Sequence, residues 1–104
     1  MNFIAFRFCD NDFHHPLGLA IAHIIDNHNL SELSIEQYKE LAVRGIIAFD
    51  LLRSHGKDYN YTWYTRYFRE TLEVYSIKRL DELVNFEGYV IDLHTKDSYF
   101  WSDY

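Results

Sequence analysis

The most chemically loaded stretch of the chain is Asp10-Asn11-Asp12-Phe13-His14-His15. Two carboxylates and two imidazoles stand together directly after an apolar run, and Asp and neutral His are both good ligands for zinc, iron or manganese. A metal centre drawn from Asp10, Asp12, His14, His15 and His94 would suit metal-assisted hydrolysis. The pattern is not specific, because no HExxH, HxH or cysteine-containing zinc spacing occurs. Asp and Asn in such a place also bond their own backbone in turns and cap helices, so turn chemistry is the simpler expectation. Cys9 ends an aromatic run, where a thiol is expected to pack rather than react. The glycines are scattered, so no phosphate-cradling loop exists. Asp10, Asp12 and Asp92 offer a carboxylate pair of no fixed separation. The expectation is a non-enzyme without a cofactor.

The segment from Lys57 to Arg79 interleaves Tyr59, Tyr61, Trp63, Tyr64, Tyr67 and Phe68 with Lys57, Arg66, Arg69, Lys78 and Arg79. Aromatic platforms with cations can hold single-stranded nucleic acid. Tyr, Trp and Arg are also the residues enriched in protein interfaces. Rings turned inward with solvated charges outward is the plain structural expectation; a protein interface ranks next, and nucleic acid after that. The C-terminal stretch sets Asp92, Asp97 and Asp103 beside Tyr99, Phe100, Trp101 and Tyr104, an acidic aromatic end suited to a basic partner.

These residues need elements to position them. Ser34 to about residue 55 reads as the central helix, with a Ser34/Gln37 capping box, a Leu33–Tyr38 staple and a stop at Gly56. Its second half is apolar nearly all round, which calls for burial on most sides. Asn2 to Cys9 reads as a strand with apolar residues on both faces, as a central strand has. Pro16 fits the first helical position, and Leu17 to Asn27 follows as a helix. Gly18 and Ala22 on that helix, with Ala42 and Gly45 on the central one, predict a close helix–helix approach. Thr62 to Tyr75 has helical spacing against strand-forming composition, and helix is favoured. A short helix is expected from Ser76 to Gly88. Tyr89–Thr95 and Ser98–Asp103 then form a hairpin across Lys96-Asp97. The fold class is α+β, with an N-terminal strand, three to four helices, and a C-terminal β-hairpin that completes a small antiparallel sheet.

At 104 residues the chain is expected to be one globular domain with a real core, fed by 8 Phe, 9 Tyr and 2 Trp. A single cysteine and no visible signal peptide point to the cytoplasm. No apolar run approaches a membrane span. The net charge of −6 is uneven: residues 53–79 carry six basic and three acidic side chains, and residues 80–104 one basic and six acidic. An acidic chain is a poor general nucleic-acid binder, since phosphate contacts dominate that affinity.

Short, acidic, aromatic-rich and without a catalytic motif, the chain resembles in general character the small inhibitor proteins that phages use against host enzymes and defence systems. The likeness lies in composition and implies a non-enzymatic inhibitor. The leading expectation is therefore a protein-binding module, an inhibitor or adaptor, contacting its partner through Asp92, Asp97, Asp103, Tyr99, Trp101, Trp63, Arg66 and Arg69. The partner would be another protein, one with a basic nucleic-acid-binding surface fitting the acidic end, and a second copy of the chain is a further class. The alternatives are a metal-dependent hydrolase at the Asp10–His15 turn and a single-strand binder at Lys57–Arg79.

Overall fold

Strand β1 (Phe3–Phe8) is the spine of the molecule, and its alternation explains why. Ile4, Phe6 and Phe8 point to one buried cluster, while Ala5, flanked by Phe3, points to a second on the opposite face. A strand apolar on both sides must be covered on both sides. In this computed structural model, which describes residues 2–8, 13–51 and 60–102 (the backbone alone at 50 and 51), β1 lies inside a four-stranded antiparallel sheet. It is followed by α1 (His14–Asn27), α2 (Ile35–Ile46), α3 (Tyr61–Thr71), β2 (Leu72–Ile77), β3 (Glu87–Asp92) and β4 (Ser98–Ser102). The strand order is β2-β1-β3-β4. The fold is mixed α+β, with the N-terminal strand and C-terminal hairpin in one sheet.

Helix α2 begins as its sequence dictates. The Ser34 hydroxyl accepts the Gln37 N–H at 3.2 Å, and the Gln37 side chain accepts the Ser34 N–H at 2.8 Å. Tyr38 and Leu33 join the same cluster, and the buried Tyr38 hydroxyl donates to the Leu30 carbonyl at 2.7 Å. The helix widens into a π-turn over Ile47–Leu51. Its expected continuation to residue 55 and its Gly56 stop lie outside the described residues.

Helix α1 starts at His14, earlier than expected, so Pro16 falls inside the first turn rather than at its first position. The missing N–H is still one of the unpaired donors of a helix start. The close approach of α1 and α2 centres on Gly45, where an added Cβ would stand 2.5 Å from the Ala20 Cβ. Gly18 serves a different neighbour, the Tyr89 ring of β3, and Ala22 is exposed.

Two expectations are corrected after Thr71. The stretch Thr62–Tyr75 divides into α3 and β2 instead of forming one helix. Six rungs of pairing with β1, from Phe8↔Leu72 to Phe3↔Ile77, outweigh the local helical period. No helix follows Ser76, which lies within β2. The chain makes a 3-10 turn at Leu80–Glu82, where Glu82 accepts the N–H groups of Lys78 and Arg79 at 2.9 and 2.7 Å. Leu83 and Phe86 then fold under the second face of the sheet. Gly88 is a strand residue, not a helix stop; a Cβ there would lie 2.0 Å from the Phe6 carbonyl oxygen. The first hairpin strand is shifted, running Glu87–Asp92 instead of Tyr89–Thr95. Asp92 ends β3 by accepting the N–H groups of His94 and Thr95 at 2.9 and 3.2 Å, which turns the chain at once.

Candidate functional site

Helix α3 carries the most open aromatic surface of the described chain. Asn60 caps it, its side chain accepting the Trp63 N–H at 3.0 Å. Of its rings, Phe68 alone is fully buried; it packs on Phe13 and Phe8, with ring centres 4.9 and 5.8 Å away. Trp63 is 53 % exposed and Tyr61 49 %. The Trp63 ring stacks on Tyr67 one turn along, centres 5.2 Å apart and planes within 6°, and meets Tyr64 edge-on at 4.9 Å. The stack fixes the indole in one orientation and leaves it presented to solvent. Such a ring loses little conformational freedom on docking.

Tyr61, Thr65 and Arg69 recur every fourth residue and form one stripe of α3. They line two adjoining openings. One, of about 620 Å³, runs along α3 past Thr62, Arg66 and Glu70. The other, of about 300 Å³, reaches across to Val43, Ile47 and Ala48 on α2. Together they make a groove between the helices with an apolar floor and charged rims. Arg69 bridges the rims by a two-point contact with Glu40, at 2.8 and 2.9 Å. The Arg69 bond holds the Glu40 carboxyl below the usual range. Arg44 and Arg66 extend exposed from the two helices. Arg66 and Arg69 line the groove, whereas Trp63 lies round the helix from the stripe that faces α2. The α2 side of the groove is what the sequence reading missed. The i, i+4 stripe of Tyr61, Thr65 and Arg69 was a usable signal, but nothing local says which helix it faces.

The hairpin residues fall elsewhere. β4 is one edge of the sheet, whereas α3 runs directly into β2, the other edge. α3 packs through Phe68 on Phe8, whereas the Asp92–Asp97 turn lies beside Asn2 at the other end of β1. Asp92 spends its carboxylate on its own turn, and Asp97 is exposed beside it. Tyr99 and Trp101 are half-buried against the cluster under the second sheet face. Burial, then the nearby Asp92 charge, raises the Tyr99 hydroxyl above its ordinary pKa. Asp103 lies outside the described residues.

Among the described residues, the histidines of the metal ligand set proposed from sequence do not come together. Asp10 and Asp12 lie outside the described residues, and His15 is exposed. The His14 ring packs on Phe100, 5.4 Å centre to centre, in the row of Phe6 and Tyr89. His94 follows Leu93, whose N–H bonds to Asn2 at the opposite end of β1. Four rows of strand separate the two histidines, about 13 Å at 3.3 Å per residue. β3 does neighbour β1, but its antiparallel direction carries His94 to the wrong end. Among the described residues no group of three His, Cys, Asp or Glu is placed to hold a metal ion. No described helix is long and apolar enough to cross a membrane.

The chain matches no protein family, no curated protein and no solved structure.

Proposed function

We propose that this chain is a non-enzymatic protein-binding module, an inhibitor or adaptor of the kind phages use, and that α3 with the α2–α3 groove is its contact surface. One observation carries the reading: Tyr61, 49 % exposed, lines a groove with an apolar floor, and Trp63, 53 % exposed and stacked on Tyr67, stands open on another side of the same helix. An ordered aromatic anchor beside a groove is the usual composition of an interface hot spot. The partner's contact would pair apolar side chains with the groove floor and acidic groups with Arg44 and Arg66. The acidic hairpin, at one edge of the sheet, is a separate surface for a basic partner.

The test compares the tagged protein with its Trp63→Ala variant in affinity capture from source cells, with nuclease present. The expected result is one protein at near-equal stoichiometry with the wild type and at least tenfold less of it with the variant. Equal capture by both would reject α3 as the contact surface. Capture that disappears on nuclease treatment would point to nucleic acid instead.

A further inference from the structure

Strand β4 is the open edge of the sheet, and its free backbone groups can be identified. Leu93 donates to Asn2 on the β1 side, and Asp92 donates to Asp97 on the β4 side at 2.8 Å. Backbone groups alternate in direction along an antiparallel strand. With the register Val90↔Tyr99 and Gly88↔Trp101, Tyr99 and Trp101 therefore aim their N–H and C=O groups at β3. Ser98, Phe100 and Ser102 aim theirs outward, away from the sheet. Among the described residues none of these outward groups has a partner.

Three features of this edge point to one occupant. The outward groups are symmetric about Phe100, so an antiparallel copy would set Phe100 opposite Phe100 and Ser98 opposite Ser102. Every outward donor then meets an acceptor, about six ladder bonds at two per pair. The strand, Ser-Tyr-Phe-Trp-Ser, also holds no charge, proline or glycine. Natural edge strands are commonly blunted by such residues, and β2, at the other edge, does hold Glu73. Finally, Phe100 is 45 % exposed on the helix side of the sheet, touching Tyr89 and, at the first residue of α1, His14. Two Phe100 rings meeting at a two-fold axis would cover each other.

We propose that β4 pairs with β4 of a second copy of this chain, antiparallel about a two-fold axis at Phe100, joining the two sheets into one. The contact is isologous, so it closes at two copies and does not propagate. Five residues a side bury a small area, so the dimer is weak and concentration-dependent. Each copy carries its own α3 surface. A dimeric partner would then be held at two points, with the avidity that linkage brings.

The experiment is amide hydrogen exchange read by NMR, with sedimentation in parallel, across roughly 10 µM to 1 mM protein. Moderate salt is used because two copies of net charge −6 repel each other. The Tyr99 and Trp101 amides should be protected throughout. The Phe100 amide should exchange freely when dilute and slow at least tenfold as the dimer fills. Phe100→Pro removes an outward N–H without touching the β3 ladder and should give a monomer. If that variant misfolds, Phe100→Lys sets two cations at the axis and should weaken association at least tenfold. A monomer at every concentration, or a dimer in which Phe100 still exchanges freely, would overturn the proposal.

Discussion

Tyr38 shows how one side chain serves two purposes at the start of α2. Its ring is fully buried against Phe6, with ring centres 6.2 Å apart, and its hydroxyl satisfies the carbonyl of Leu30. Burial raises the hydroxyl above its ordinary pKa, so it stays a neutral donor. Tyr38→Phe keeps the packing and strands the Leu30 carbonyl. The expected cost is about 1–3 kcal/mol, measured as a lower urea midpoint at unchanged slope. Trp63 is the opposite case. Its exposure means that the Trp63→Ala variant used in the binding test should stay folded, so a lost partner reports the surface rather than the fold.

The contact between α1 and α2 depends on a glycine that looks expendable from its own helix. Gly45 costs about 1 kcal/mol in helix propensity relative to Ala, yet an added methyl would meet Ala20 at 2.5 Å. Gly45→Ala should therefore destabilise by about 1–3 kcal/mol, despite the better helix former. Gly18→Ala meets the free end of the Tyr89 side chain, which can swing aside. There the propensity gain offsets the crowding, and the expected change is within about 1 kcal/mol. Thermal unfolding of the two variants side by side checks the contrast. Equal losses would mean that Gly18 also sits in a rigid contact.

Across the whole molecule, carboxylates tie the layers together. Glu40 joins α2 to α3 through Arg69. Glu73 joins β2 to β1 through Arg7, and also accepts the Tyr75 hydroxyl at 2.6 Å. Glu82 holds the 3-10 turn through the Arg79 and Lys78 N–H groups. All three carboxyls are held below the usual range, Glu40 by Arg69, Glu73 by Tyr75 and then Arg7, Glu82 by the two backbone donors. A carboxyl whose folded pKa is depressed adds stability above its unfolded pKa and loses it as pH falls through the folded value. The urea midpoint should therefore drop as pH falls from about 5 to 3. A Glu40→Gln, Glu73→Gln double variant should start lower at neutral pH and fall less steeply. A parallel decline in the two proteins would assign the acid sensitivity to other groups.

Local chemistry in the sequence determined the Ser34 cap, the Leu33–Tyr38 pairing, β1 as a two-faced central strand and the closing hairpin, because each rests on neighbours a few residues apart. It also marked Trp63, Arg66 and Arg69 by residue type, but helical geometry turns Arg69 toward α2 and Trp63 away from it. Tertiary structure decided the rest. Whether Leu72–Ile77 is helix or strand turned on six rungs of pairing with a segment more than sixty residues away. The direction of β3 sent His94 to the far end of β1, away from His14. The placement of α2 against α3 made a groove from residues that are unremarkable in sequence. The strand order put the hairpin at one edge and Leu72–Ile77 at the other, because which strands pair depends on the whole chain and not on any one segment of it.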